Sequence, residues 1–356
     1  MNSFRDPAVF FSGQSARLGP RLARINLGRG REAMYQDQLP ELLHRLSHDA
    51  RVESVMASSA IEGVFIEKGR TTAVVEGAAS YLRNRSEKEV RGYRDALDYL
   101  IQSEGHEPLS IPFILHLHRL LYGHTPGRGG QLKTADNEIV SRDPETGHRR
   151  SVFQPPPYQQ TEFLMRELIA GYQAAVAAEE ADSVVLIAAF VVDLLAIHPF
   201  GDGNGRVARL LTNHLLLSAG YGVVKYVSLE QRIHESRSRY YDALEDSQRL
   251  WHEGDNSVWP FVEFLVDMLV EAYERFEARV ASARPTEGGT KQSRVRNYVL
   301  AEAPEVFTKA RIRQSLLGIS DQTIANVLRD LQAEGSIVSE GRGRSASWRR
   351  TNNAQP

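Results

Sequence analysis

His198-Pro-Phe-Gly-Asp-Gly-Asn-Gly-Arg206-Val-Ala-Arg209 is the stretch on which the fold turns. Before it stands Val184 to Ile197, apolar but for Asp193 and too short to span a bilayer, which reads as a buried core helix. After it, from about Gly205, Leu210, Leu211, Leu215 and Leu216 recur at helical spacing and mark a second, amphipathic helix. The glycine-rich run therefore joins the end of one helix to the start of the next. A helix start exposes unpaired N–H groups and a partial positive charge, which suit an anion. Gly203 and Gly205 let the backbone approach phosphate oxygens. Arg206 and Arg209, three positions apart, can face one ligand with forked donors. Asp202 offers the hard oxygen that Mg²⁺ accepts. His198, with an unperturbed pKa of about 6.5, is neutral at pH 7 and can take a proton from an attacking hydroxyl. Taken singly, these are a structural histidine, a turn and a solvated helix face. Taken together at a helix junction, they read as a site that moves a phosphorus-containing group.

Outward from this junction the chain reads as mainly helical. Residues up to about Leu39 are rich in Gly, Arg and Pro and are expected to be a loosely structured lead-in (1–39). Helical spacing follows over Pro40–Arg70, Glu87–Ser103 and Pro112–Tyr122. Between Gly127 and Pro157, glycines, an Asp-Pro-Glu-Thr-Gly turn and short alternating stretches predict one β-hairpin, closed by Pro155-Pro156-Pro157. Helices resume at Thr161–Ala178, Asp182–Ile197, Gly205–Ala219, Glu230–Gln248 and Val258–Arg279. Ala281 to Thr290 reads as a linker. The expected divisions are a helical region at 40–110, a core at 111–280, a linker at 281–292, a small domain at 293–350 and a tail at 351–356.

At 356 residues there is room for two domains, and 42% hydrophobic content supports a real core. The absence of cysteine excludes disulfides, thiolate metal sites and cysteine nucleophiles, and fits a reducing compartment. The N-terminus shows no apolar h-region, so a cytoplasmic location and no membrane partner are expected. A formal net charge of −2 conceals an asymmetry: from Lys291 onward stand 11 Lys/Arg against 6 Asp/Glu. The basic end and the acidic remainder are expected to do different work.

The twelve-residue run resembles the Fic-domain signature HPFx[D/E]GNGRxxR at every defining position, and the likeness extends to about Arg279. That resemblance implies an all-α Fic fold with one hairpin flap, and transfer of AMP from ATP to a Tyr, Ser or Thr hydroxyl of a target protein or of the chain itself. It makes His198 the base and Asp202 the Mg²⁺ ligand. Asn204 and the amides of Gly203 and Gly205 would hold phosphates, with Arg206 and Arg209 on the β- and γ-phosphates.

A second constellation is Ser58-Ser-Ala-Ile-Glu62-Gly63. Ser58 and Glu62 are four apart on a helix face, and Gly63 is a plausible helix stop. The string resembles the Fic inhibitory motif [S/T]xxxE[G/N]. By that resemblance Glu62 pairs with Arg209 and keeps it from the γ-phosphate. The segment Gly130 to Ile139 resembles the flap that aligns the target by strand-like pairing, with Asn137 and Ile139 in place. Lys133 and Asp136 depart from the usual arginine and glutamine there. Tyr240 is the first choice to border the adenine, Tyr241 the second, and Gln248 a weaker third. The pairs His44/His48 and His116/His118 imitate metal ligands, but no HExxH accompanies them, and solvated or core histidines are the plainer reading.

In the tail, apolar positions from Val295, a second helix over Thr308–Leu316 and a third over Asp321–Leu331, N-capped by Ser320, precede a strand–turn–strand ending at Trp348. This resembles a winged helix-turn-helix, which implies DNA contact through Arg342, Arg344, Arg349 and Arg350. An interaction module of the same shape is the other reading. The competing functions are a DNA-binding regulator whose Fic domain binds nucleotide and modifies only itself, and removal of AMP by the same site. A homodimer stays open.

Overall fold

The computed structural model describes residues 3–6, 10–79, 81–127, 129–142, 149–283, 290–316, 319–340 and 346–351. The turn 143–147, the greater part of the linker, Arg342, Arg344 and the last five residues lie outside them. The helices are α1 (Gln14–Gln38), α2 (Pro40–Ile61), α3 (Thr71–Val75), α4 (Arg85–Ser103), α5 (Ile111–Leu121), α6 (Thr161–Ala177), α7 (Ser183–Ile197), α8 (Asn204–Ser218), α9 (Leu229–Glu235), α10 (Arg237–Gln248) and α11 (Trp259–Ala283). Strands β1 (Ile139–Arg142) and β2 (Arg149–Phe153) form an antiparallel hairpin, with a register shift after Ile139. The fold is mainly α with one hairpin, as the spacing predicts.

Two compact units divide the chain. One comprises Met1–Gln38 and Leu46–Tyr273, the other Leu39–Arg45 and Glu274–Pro356. The larger unit is built on α7, from Val184 to Ile197 buried without interruption, which packs against α6, α8 and α10. Asp182 caps it by accepting the Val184 N–H at 3.0 Å. Asp193, the one polar residue inside, accepts the Trp251 indole N–H at 2.7 Å, and burial lifts its pKa to about 6. Helices α4 and α5 approach so closely that a Cβ on Gly92 would lie 2.0 Å from the Leu121 carbonyl oxygen.

Three expectations change. The lead-in is not loose, because residues 14–38 form a 25-residue helix in spite of Pro20. Burial of Leu18 and Ile25 on one face outweighs the poor propensities, and Gly28 serves close packing, since a Cβ there would stand 2.5 Å from Tyr273. The helix expected to reach Arg70 stops at Ile61. Gly63 turns left-handed (φ 75°), and its N–H and that of Val64 take the carbonyls of Ala60 and Ser59. Finally, Glu230–Gln248 is two helices, broken at Ser236.

The smaller unit has its own core, which includes Val295, Phe307, Ile324, Leu328, Leu331 and Trp348. Its elements after α11 are α12 (Lys291–Asn297), a π turn at Tyr298–Glu302, β3 (Val306–Thr308), α13 (Lys309–Ser315), α14 (Asp321–Ala333), β4 (Ile337–Glu340) and β5 (Ser347–Arg350). The strands make an antiparallel sheet in the order β3-β5-β4. Arg349 forms ion pairs with Glu305 and Glu340, and Arg350 donates to the Leu300 carbonyl. No described helix is long and apolar enough to cross a membrane.

Candidate active site

The junction between α7 and α8 places the site. His198 closes α7 in the left-handed conformation (φ 50°), its N–H bonded to the Leu194 carbonyl. Its Nδ1 lies 3.2 Å from the Leu195 carbonyl oxygen. A carbonyl only accepts, so Nδ1 carries the proton and Nε2 keeps its lone pair. Burial lowers the imidazole pKa to about 4, with Lys133 adding to the effect. The ring is neutral across physiological pH, the state a general base requires.

Helix α8 starts at Asn204 after Gly203, which is left-handed (φ 84°) and provides no side-chain cap. Its first-turn amides therefore present an anion-accepting end. The asparagine itself has another job. Asn204 Oδ1 accepts the Phe200 N–H at 2.9 Å and its Nδ2 donates to the Phe200 carbonyl at 2.8 Å, so the amide braces the loop. Asn137, expected at the nucleotide, likewise donates to the carbonyls of His198 (3.2 Å) and Phe200 (2.9 Å). Both contacts have one physical cause: a tight loop has unpaired carbonyls, and buried amides satisfy them.

The two arginines are buried and occupied. Arg206 donates to Glu89 Oε2 and to the Tyr122 hydroxyl, each at 2.9 Å. Arg209 donates from Nε to Ser58 Oγ at 3.0 Å, and from one terminal nitrogen to the Ser58 carbonyl at 3.2 Å and Glu62 Oε1 at 2.8 Å. Burial alone would lower the pKa of this guanidinium, but Glu62, with Tyr240 and Tyr93, outweighs it and holds it above the ordinary value. The Glu62 carboxylate lies over the start of α8, since a Cβ on Gly205 would come within 2.7 Å of its Oε1. Ser58 and Glu62 thus both meet Arg209, the contact that the resemblance implies, and Gly63 ends the helix that carries them.

Asp202 leans outward, its side chain 62% exposed, with Oδ1 accepting the Gly203 N–H at 2.7 Å and Oδ2 3.7 Å from Arg85. Partial burial works against its charge, but the Tyr122 hydroxyl, Arg206 and the Gly203 N–H outweigh it and lower the pKa. Among the described residues no cluster of three or more His, Asp or Glu could enclose a metal. A single half-open carboxylate fits Mg²⁺, which keeps waters and takes substrate phosphates as its other ligands.

Tyr240 is buried against Phe261, Phe264 and Tyr241, and burial raises its pKa to about 12. It lines a cavity of about 20 Å³ with Arg209, Thr212, Leu229 and Met268, room for about one water. Tyr241 is exposed and Gln248 buried. In the hairpin, Arg150 ties β2 to Glu245 of α10 with two bonds of 3.0 and 2.9 Å. Asp136 accepts the Tyr158 N–H at 2.8 Å.

Sequence reasoning names no partner for four residues. Glu89 and Tyr122 hold Arg206 from α4 and from the end of α5. His118 takes the Gly130 N–H on Nδ1 and donates from Nε2 to the Asp202 carbonyl, stacked on Phe200 at 3.9 Å. Burial lowers its pKa to about 4, so it is a neutral strut, and no metal reading is needed for it. Lys133 is the fourth. Only the apolar spacing of α4 and α5, which sets Glu89 and His118 facing inward, hints at the first three.

The class follows from this geometry: the larger unit has the helical Fic fold, and residues 108–216 match the family described as Fic/DOC family. Among curated proteins, the chain is similar to the protein adenylyltransferase Fic of Culex quinquefasciatus, 29% identical over 230 residues, and to that of Drosophila virilis, 30% identical over 251. The matches cover 63% and 68% of this chain but 41% and 46% of those proteins. Among solved structures, a Fic family protein from Desulfovibrio desulfuricans aligns with a TM-score of 0.60 at 22% identity, covering 95% of this chain and 97% of that one. A Fic domain containing signaling protein from Bacteroides thetaiotaomicron gives 0.59 at 22%, over 70% and 95%.

Proposed function

We propose that this protein transfers AMP from ATP to a Tyr, Ser or Thr hydroxyl of a protein, itself included, and that Glu62 restrains the transfer by occupying Arg209. The observation that carries the reading is the Arg209–Glu62 contact lying over Gly205, a carboxylate lodged where a helix start and a guanidinium would receive a phosphate. The similarity to the adenylyltransferases of mosquito and fly supports ATP as the donor.

In the reaction the acceptor oxygen bonds the α-phosphorus, the bond from that phosphorus to the α,β-bridging oxygen breaks, and pyrophosphate leaves. The hydroxyl proton passes to Nε2 of His198, which is unprotonated and aimed away from its Leu195 contact. The α8 amides and Arg209 hold the polyphosphate in line, so the protein's share is positioning and charge stabilisation. Arg206 is steered by Glu89 and Tyr122 toward the same end of α8. Mg²⁺, when bound, would be held by Asp202 and would neutralise charge on the leaving pyrophosphate.

The smaller unit is read as a winged helix-turn-helix. Arg349 and Arg350 bond within the smaller unit, and the preference for the transferase over the DNA-binding regulator rests on the site in the larger unit. The test uses ATP labelled at the α-phosphate with Glu62→Gly protein and a proteome extract. Labelled protein bands that vanish in Glu62→Gly/His198→Ala are expected. A retarded DNA fragment with no label on any protein of the extract would favour the regulator instead.

A further inference from the structure

The loop that carries His198 has four consecutive carbonyls, those of Ile197, His198, Pro199 and Phe200, and each is met by the stem of the hairpin. Lys133 Nζ donates to Ile197 O at 3.1 Å, and the Lys133 backbone N–H to Pro199 O at 2.8 Å. Asn137 Nδ2 donates to His198 O and Phe200 O. Lys133 Nζ spends its other two hydrogens on Asn137 Oδ1 at 2.9 Å and Pro156 O at 3.0 Å. An ammonium has three donors, and here all three meet oxygens while the residue is buried. None of the three acceptors is a carboxylate. Burial lowers the lysine pKa, with Asp136 acting the other way.

We infer that Lys133 is a positioning residue for His198: through Ile197 O and Asn137 it holds the base's backbone in the conformation that aims Nε2 at the acceptor. Two features make a lysine suited to this place. The Ile197 carbonyl ends α7, where the helix dipole is negative and a cation is favoured. His198 itself sits at φ 50°, a region disfavoured for a residue with a side chain, so something outside it must keep it there. The same lysine begins the segment that leads into β1, so the foot of the hairpin and the backbone of the base are one hydrogen-bonded body. A target segment that seats on the hairpin therefore meets a base already in place.

The inference rests on the reading of His198 as the base, and its experiment has two arms. Hydrogen–deuterium exchange compares full-length Glu62→Gly with Glu62→Gly/Lys133→Met. Faster exchange confined to the amides of residues 198–204 and the hairpin stem is expected. In the kinetic arm, auto-labelling is expected to lose kcat by about tenfold to a hundredfold, as for a displaced base. ATP affinity by calorimetry should stay within about twofold of the parent. Unchanged exchange, unchanged kcat, or ATP affinity falling in step with kcat would overturn the role. Should the methionine variant not fold, Lys133→Gln, neutral but still a donor, is measured in its place. Failure of both to fold makes the lysine a folding residue and also overturns the role. If the parent still labels fully with His198→Ala, the reading of the base fails instead, and the exchange arm reports on the clamp independently.

Discussion

Replacing Glu62 by glycine removes one carboxylate from Arg209 and leaves the guanidinium with Ser58 Oγ and the Ser58 carbonyl. Breaking a buried ion pair costs about 3–5 kcal/mol, and a hydrogen bond to a charged group about 1.5–3. The arginine is buried, but the Glu62 side chain is 33% exposed, so solvent already screens part of the interaction. A value of about 2 kcal/mol takes both into account. In the absence of nucleotide the melting temperature should therefore fall by about 4–8 °C. With nucleotide the sign reverses, because a γ-phosphate no longer has to displace Glu62, and about 2 kcal/mol corresponds to about 30-fold in productive occupancy. The assay is auto-labelling from ATP carrying a labelled α-phosphate, with melting curves taken with and without nucleotide. A gain in label of less than about threefold from a protein whose melting point drops as described would refute the reasoning. The contact would then be structural and would not gate the nucleotide.

Three further outcomes are expected. With the His198 pKa lowered to about 4 by burial, labelling by Glu62→Gly should stay level as pH falls from 8 to about 5 and decline only below that; a bend near 6.5 would mean an exposed base. The same shift bears on stability. Between about pH 6.5 and 4 the unfolded chain takes up a proton at His198 that the folded chain refuses, so this contribution is complete above 6.5 and is lost as pH falls through that window. Glu89→Ala leaves Arg206 buried without its carboxylate and should lower urea-melt stability by about 3 kcal/mol, where a loss under about 1 would show that Tyr122 and Asp202 suffice. Asp202→Asn alters an exposed side chain and should barely change the melting point, yet raise the Mg²⁺ concentration needed for half-maximal labelling by about tenfold; an unchanged requirement would remove Asp202 as the ligand.

How much of this was legible beforehand depends on the range of each interaction. The core helix, its end at Ile197 and the start of α8 are local, set by apolar spacing and glycines, and they stand where periodicity places them. Ser58, Glu62 and Arg209 lie about 150 residues apart, and only a resemblance joined them. For Glu89, Tyr122, His118 and Lys133 no spacing announces a partner between 64 and 117 positions away, and topology alone brings them together. The asparagines show a role that the resemblance does not name: Asn137 donates to the carbonyls of His198 and Phe200, and Asn204 to that of Phe200. Helix α1 was missed because Gly19, Pro20, Gly28 and Gly30 argue against it locally, while burial of Leu18 and Ile25 decides in its favour.

Ser58 has a quieter effect. Its two oxygens hold the guanidinium of Arg209 beside the carboxylate of Glu62. On the proposed function, loss of that carboxylate would change the local charge without setting the cation adrift, so the device would behave as a dimmer and not as a latch. The depth of the dimming would then be adjustable through one solvent-touched side chain, while the deeper anchor stays as it is.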